Sequence, residues 1–421
     1  MKKLSVLLSG AAGYGAKYLD AILNTEEGKS LFELAGAVSL KSAELEAALA
    51  PHGIPIYESA DEFYKNHQAD LAVISSPYFL HREQVETCLA NHSHILCEKP
   101  LCTSLYEAMQ IKRMAEESGR MVFIGFQLSF SGAIRRFKQD IMSGLFGKPL
   151  LMKAIVHYAR GDNYFARNSW AGKKYLPDGR LCLDSPLHNA VAHHLNNMLF
   201  LIGDAPDRAA YPSTVQAELY RSNMNITNFD TFALRAKAQN GTDILFYSSH
   251  SLANKEYIGP ICVYRFEKAT AFHEHIAMHD SFYVAFDDGS SKQYYAHRHQ
   301  YQMQKLFDCA YAINGGEKPW SSVEAAIPQV VCTLGASLSH PVADIPQDLI
   351  TYTGKPDPAQ SRGATGVLPK VEGLQELLLD CYDKLKLPSE MENAPAWAVA
   401  GRTVELAEIM ALQSDKSGGR F

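Results

Sequence analysis

The chain lacks any apolar run approaching the roughly 18 residues that a membrane span requires. It also lacks a C-x-x-C pair: its eight cysteines are scattered along 421 residues. That spacing argues against a zinc ribbon or a dithiol redox pair and for reduced, buried thiols. A basic excess is missing too, because 46 acidic and 40 basic side chains leave a formal charge of -6. With both signs spread along the chain, no cationic surface for nucleic acid or an anionic membrane is expected. The start, MKKLSVLLSGAAGYG, carries two lysines and an apolar run, Leu4 to Leu8. That run is too short for a secretory core and is followed by glycines without a processing site, so a buried first strand and a cytoplasmic location are expected.

The 47% of apolar residues is more than one core usually absorbs in a chain of this length, so two domains are expected. Residues 4 to 9 read as a strand, Gly10 to Gly15 as a tight turn, and the following AKYLDAILN as a helix. Strand and helix patterns then alternate: Leu34 to Leu40, Ala69 to Ser75, Gln84 to Ala90, His94 to Cys97, Ser104 to Ser118, and Met121 to Gly125. This alternation predicts an α/β, doubly wound parallel sheet over residues 1–125. Residues 126–350 change texture. After a helix at Ser131 to Gly144 come strand-like runs at Leu151 to Tyr158, Thr214 to Tyr220, Asp230 to Ala238, Asp243 to Ser249, Ile261 to Phe266 and Ser281 to Phe286. These are not separated by helices, which predicts a largely antiparallel second sheet. One long helix is expected from Pro186 to Ile202, with Asp184 as its cap and Gly203 at its end. Residues 351–421 read as a linker, Pro356 to Gly366, followed by helices at Val371 to Leu385 and Trp397 to Ser414.

The turn Gly10-Ala11-Ala12-Gly13-Tyr14-Gly15 sits between the first strand and helix. Small residues there let the free amides of a helix N-terminus approach a pyrophosphate, so Gly10, Ala12, Gly13, Tyr14 and Gly15 are candidate cofactor residues. Ala12 stands where the usual fingerprint has its second glycine. After the second strand, where an acidic group would accept from a ribose hydroxyl, the chain has Ser39-Leu40-Lys41-Ser42. Ser39 and Lys41 admit a 2′-phosphate, so NAD or NADP is the expected cofactor.

The run AVISSPYFLHREQVETCLANHSHILCEKPLCTSLYEAMQI, Ala72 to Ile111, together with Gly125-Phe126-Gln127 and Ser143 to Gly147, resembles the Gfo/Idh/MocA oxidoreductase family. The resemblance covers roughly residues 4 to 345 and implies an N-terminal Rossmann domain followed by a substrate domain. It implies that Lys99, in Cys97-Glu98-Lys99-Pro100, contacts both substrate and nicotinamide. Glu98 is implied as a structural or polarising carboxylate, Pro100 as rigidifying backbone, and Ser76, Pro77 and His81 as lining the nicotinamide side.

The family's D-x-G-x-H-x-x-D helix can be placed in two registers. Counting back from Gly203 puts Asn189 at the first acidic position, His193 at the histidine and Asn196 at the later acid, all on one helical face. His193 is then the proton acceptor. The rival register uses Asp184 and His188. Asn189 in place of an acid, and Ser129 where a basic residue often follows G-F-Q, are departures that leave room for a proton route through Lys99.

Between the second domain's first strand and that helix lie Arg160, Asp162, Tyr164, Arg167, Asn168, Trp170 and Lys173. Aromatic faces and donors of this density suit a small polyhydroxy substrate. Tyr257, His273, His275 and His279 are weaker candidates, and no metal is expected. The expected activity is NAD(P)-dependent hydride transfer to or from a sugar or cyclitol. The alternatives are a lyase or glycoside hydrolase using transient oxidation, or a non-catalytic nucleotide-linked sensor. A homodimer or homotetramer is the expected assembly.

Overall fold

A computed structural model describes residues 1–252, 258–276, 279–297, 302–354 and 366–415. The first sheet contains β1 (Leu4–Ser9), β2 (Phe32–Val38), β3 (Ile56–Tyr57), β4 (Leu71–Ile74), β5 (His94–Cys97) and β6 (Val122–Ile124). All its pairings are parallel, and the order is β3-β2-β1-β4-β5-β6. The order reverses between β1 and β4, where such sheets open a ligand crevice at their carboxyl ends. Both faces are buried: Leu4, Val6 and Leu8 belong to one apolar cluster and Leu7 to another.

The second sheet contains β7 (Pro149–His157), β8 (Pro212–Arg221), β9 (Thr231–Ala238), β10 (Asp243–Ser249), β11 (Ile258–Phe266), β12 (Ala269–Ile276), β13 (His279–Phe286) and β14 (Ser291–His297). The short strand β15 (Ala343–Asp344) joins at one edge. Pairing is antiparallel except for β10 with β7 and β15 with β8. β12 and β14 escape the sequence pattern because their alternating residues are as often polar as apolar. β16 (Ile350–Thr353) and β17 (Leu368–Val371) form a separate ribbon, and β18 (Val404–Glu405) pairs with β8.

One face of the second sheet shares a core with the helices Gly132–Met142, Ala192–Leu201 and Val323–Ser339. The C-terminal extension covers part of the other. Leu374, Leu378, Cys381 and Tyr382 pack on Leu151, Ile155, Leu245 and Tyr247, while Arg235 pairs with Glu390 at 2.6 Å. The helix Gln304–Ile313 crosses back to the first sheet, burying Leu306, Phe307 and Ala310 against it, although its sequence position lies within the expected second domain.

Two helix expectations are corrected. Pro186 to Ile202 is not continuous: a π turn, Pro186–Ala190, and the helix Ala192–Leu201 are separated by Val191 at φ -111°, ψ 10°. Trp397 to Ser414 is also broken. Trp397 lies edge-on to Tyr220 at 4.9 Å, and only Leu406–Ala411 is α-helical. Packing on the sheet overrides local propensity here. Among the described residues no helix is long and apolar enough to cross a membrane.

Candidate active site

The turn after β1 is built for close approach. Gly10 has φ +82°, and a Cβ there would lie 2.4 Å from the Ser76 amide nitrogen, which follows β4. Gly15 opens the helix Gly15–Asn24, and a Cβ on it would meet the Gly10 carbonyl oxygen at 1.9 Å. Ala12 and Gly13 are exposed at that helix start, whose first turn holds neither an acidic residue nor a side-chain cap. A small, uncapped, non-acidic turn at the switch point fits a dinucleotide pyrophosphate. Ser39 is half-buried at the end of β2, with its amide on the Tyr57 carbonyl at 3.2 Å, and Lys41 is exposed beyond it.

The next crevice wall comes from the ends of β4 and β5. Gln84 Oε1 accepts from the hydroxyls of Ser9 at 3.0 Å and Ser76 at 2.6 Å, so the ends of β1 and β4 share one partner that sequence reading missed. Pro77 is half-buried beside them. His81 does not line the crevice: it is fully buried, with Nε2 on the Ser76 carbonyl and Nδ1 facing the carbonyls of Pro100 and Leu101, at 3.0 to 3.1 Å. It ties the β4 loop to the β5 loop from beneath, and burial pushes its imidazole below the ordinary range. The Lys99–Pro100 peptide is cis.

Glu98 also lies under the crevice. Its carboxylate accepts from Tyr18 Oη at 2.6 Å and pairs with the Lys305 ammonium, a residue 207 positions away that no local pattern could flag. Tyr14 joins this cluster, with its hydroxyl 3.4 Å from Lys305 Nζ. Burial raises Glu98, but the Lys305 charge and the hydrogen bonds from Lys305 and Tyr18 more than reverse it, leaving the carboxyl below its usual range.

Lys99 is half-buried above this pair. Its Nζ donates to the Asn189 carbonyl at 2.9 Å and to Asn189 Oδ1 at 3.0 Å. Asn189 in turn donates from Nδ2 to Asp184 Oδ1 at 2.8 Å. Burial pushes the Lys99 ammonium down to about 8, with Glu98 opposing and Lys305 adding to the shift.

Asp184 is therefore not the helix cap. Ser185 fills that place, accepting from the His188 amide, while the Asp184 carboxylate gathers Tyr78 Oη at 3.1 Å, the Gly172 amide at 2.7 Å and Asn189. His188 of the rival register is fully buried, edge-on to Tyr78 at 5.2 Å. Burial and the neighbouring Lys99 push it to about 3, so it is a neutral buried ring. His193 is half-buried and edge-on to Phe126 at 5.8 Å. Asn196, in the same helix as His193, is buried and donates to the Ala325 carbonyl at 2.7 Å, while the break at Val191 separates Asn189 from both.

Four candidates from the next segment form one stack. The Arg160 guanidinium lies 4.9 Å and that of Arg167 3.7 Å from the Tyr164 ring centre, and Arg167 is 5.3 Å from the Trp170 ring. Arg167 also reaches Asp184 at 3.8 Å, joining the stack to the Lys99 relay. The other three are engaged elsewhere: Asp162 with Val367, Asn168 with the amides of Trp170 and Ala171, and Lys173 with the Asn225 carbonyl. His273 is buried and stacked on Phe282 at 4.2 Å. Tyr257 and the side chains of His275 and His279 lie outside the described residues. Among the described residues no group of His, Cys, Asp and Glu is arranged to hold a metal.

Residues 4–126 match the family described as "Oxidoreductase family, NAD-binding Rossmann fold", GFO_IDH_MocA. The chain is 28% identical over 162 residues to glucose-6-phosphate 3-dehydrogenase of Bacillus subtilis, covering 38% of this chain and 43% of the relative. It is 26% identical over 198 residues to inositol 2-dehydrogenase of Ralstonia nicotianae, covering 46% and 54%. The matches thus span about half the length of these curated relatives. Among solved structures, the WlbA dehydrogenase of Bordetella pertussis in complex with NADH and UDP-GlcNAcA aligns with TM-score 0.63 and 16% identity, over 80% of this chain and 96% of that one. An NAD binding oxidoreductase from Klebsiella pneumoniae gives TM-score 0.64 and 17% identity, over 80% and 96%; at such identity the likeness is one of fold. Residues 4–126 are thus similar to the NAD-binding Rossmann domain of the Gfo/Idh/MocA oxidoreductase family.

Proposed function

We propose that the protein is an NAD(P)-dependent oxidoreductase acting on a secondary alcohol of a sugar, cyclitol or related polyhydroxy compound. The observation that carries this reading is the Lys99 ammonium, held by both oxygens of Asn189 beside the switch point of the nucleotide-binding sheet. A bound nicotinamide supplies the acceptor or donor of hydride.

The protein's own residues supply orientation and proton handling. Lys99 donates to the substrate oxygen and favours negative charge developing there. Asn189 and Asp184 aim the ammonium, and a substrate hydroxyl replaces one of the Asn189 oxygens as its acceptor. His193 takes the hydroxyl proton, and Lys99, whose ammonium is pushed down to about 8, is a further group able to exchange a proton. Arg160, Tyr164, Arg167 and Trp170 present donors and ring faces to the hydroxyls and C–H patches of the substrate. Half-buried Ser39 and exposed Lys41, with no carboxylate at that position, accommodate NADP as well as NAD.

Native mass spectrometry with added NAD and NADP, followed by a panel of sugars and cyclitols, tests this reading. Nucleotide binding together with net reduction by at least one polyol supports it. Binding of neither nucleotide contradicts it, and turnover without net cofactor reduction selects transient oxidation instead.

A further inference from the structure

The segment that carries Arg160, Tyr164 and Arg167 is gripped at its centre by the C-terminal extension. Asp162 opens the short helix Asp162–Ala166. Its amide donates to the Val367 carbonyl at 2.9 Å, and its Oδ1 accepts from the Val367 amide at 2.8 Å. The same oxygen accepts from the Asn163 amide at 2.8 Å. Gly366 has φ +85°, and a Cβ there would fall 2.0 Å from that oxygen and 2.9 Å from Asn163 Cγ. The approach therefore requires both the left-handed conformation and the missing side chain of glycine.

The far side of the clip is firmly held. From Val367 the chain continues through β17 into the helix Leu374–Lys384, which packs on the outer face of the second sheet. Lys153 Nζ donates to the Tyr382 carbonyl at 3.1 Å, and Tyr247 Oη donates to the Lys386 carbonyl at 2.9 Å. The near side carries the guanidinium and aromatic groups, and Arg167 Nη1 donates to the Tyr164 carbonyl at 2.6 Å. Tyr164 and Arg167 stack on one another, and the nearest Arg167 nitrogen stands 3.8 Å from Asp184, beyond hydrogen-bond length. The reciprocal bonds at Asp162 thus tie the start of this segment to a rigid sheet-bound helix, beside its other holds, the Arg160 amide on the His250 carbonyl at 3.0 Å and the Tyr164 ring edge-on to His250 at 6.2 Å.

We propose that Asp162 is a positioning residue for substrate specificity, its clip to Gly366 and Val367 setting how far Tyr164 and Arg167 project into the crevice. This rests on the reading that the Arg160 to Trp170 segment faces the substrate. The clip touches neither the nucleotide turn nor Lys99, so it acts on substrate affinity and not on cofactor binding or the chemical step.

The test uses the full chain and the variants Asp162→Ala, Gly366→Ala and Asp162→Asn, the last of which keeps the Oδ1 acceptor. For the best polyol found, Asp162→Ala and Gly366→Ala raise KM roughly tenfold, the scale of losing one hydrogen-bonded anchor. Their kcat and nucleotide affinity stay within about twofold of wild type. Amide exchange accelerates across residues 160–171 in both, and Asp162→Asn restores both readouts. Unchanged KM and unchanged exchange in both variants overturn the proposal, as does a parallel loss of nucleotide affinity. If wild type oxidises no polyol, the reading of the site fails on its own, and the exchange measurement still decides whether the clip holds the segment.

Discussion

Lys99 donates from Nζ to both oxygens of Asn189, the main-chain carbonyl at 2.9 Å and Oδ1 at 3.0 Å. An amide therefore stands between the ammonium and the nearest carboxylate that faces it from the second domain, Asp184, which Asn189 reaches at 2.8 Å. An asparagine orients the lysine without neutralising it, and the buried acid is displaced one partner outward.

Lys99→Ala tests the role of the ammonium. On the proposed role of Lys99 as the group that stabilises the developing alkoxide, its loss lowers kcat/KM by about 100- to 10,000-fold, while nucleotide affinity, measured by titration, stays within about twofold because the helix-start amides are untouched. Equal losses in binding and turnover would point to a nucleotide-holding role instead.

The pH dependence follows from the same group. If the ammonium form orients substrate, kcat/KM falls on the alkaline side as Lys99 loses its proton near about 8. The Asp184 carboxylate raises the Lys99 value, so Asp184→Asn moves this limb to lower pH. A limb that stays in place in that variant contradicts the electrostatic link, and rate profiles of the two proteins decide it.

Lys305 and Glu98 give a stability prediction. Lys305 is buried and Glu98 nearly so, so Lys305→Met strands a carboxylate and costs about 3–5 kcal/mol by denaturant unfolding. Adding Glu98→Gln recovers much of that loss. Glu98 titrates below its ordinary range when folded, so its contribution is present above the ordinary carboxylate pKa and is lost as pH falls through the lowered value. Acid unfolding of Glu98→Gln accordingly shows a weaker pH dependence than wild type. Additive single-variant effects would show that the pair is not coupled.

Cofactor choice is testable at the end of β2. Ser39→Asp places a carboxylate where a 2′-phosphate would lie, and the NADP-to-NAD affinity ratio falls about tenfold or more. An unchanged ratio would move the ribose contact elsewhere.

The first sheet was legible because parallel strands buried on both faces write themselves as short apolar runs: β1 and β5 have the bounds that the sequence implies. The Gly10 turn was legible because its signal is local, and the Glu98-Lys99-Pro100 loop through its resemblance to the family's motif. The Lys305 partner of Glu98 was not, since its helix returns to the first sheet from 207 residues away. The Pro186 to Ile202 helix misled because its apolar spacing continues through Val191 although the backbone does not, and with that break Asn189 leaves the register of His193. Asp184 read as a cap because acidic residues before proline usually are; its hub role depends on Tyr78 and Gly172, which only the fold brings to it.

Hydride transfer itself is the most direct test of the central claim. A panel of sugars and cyclitols deuterated at each secondary carbinol carbon is incubated with the protein and oxidised nucleotide, and the recovered cofactor is analysed by mass spectrometry. The expected result is deuterium in the nicotinamide from at least one polyol, with transfer abolished in Lys99→Ala while the nucleotide still binds. Tight nucleotide binding with no deuterium from any polyol, or undiminished transfer in Lys99→Ala, would contradict it.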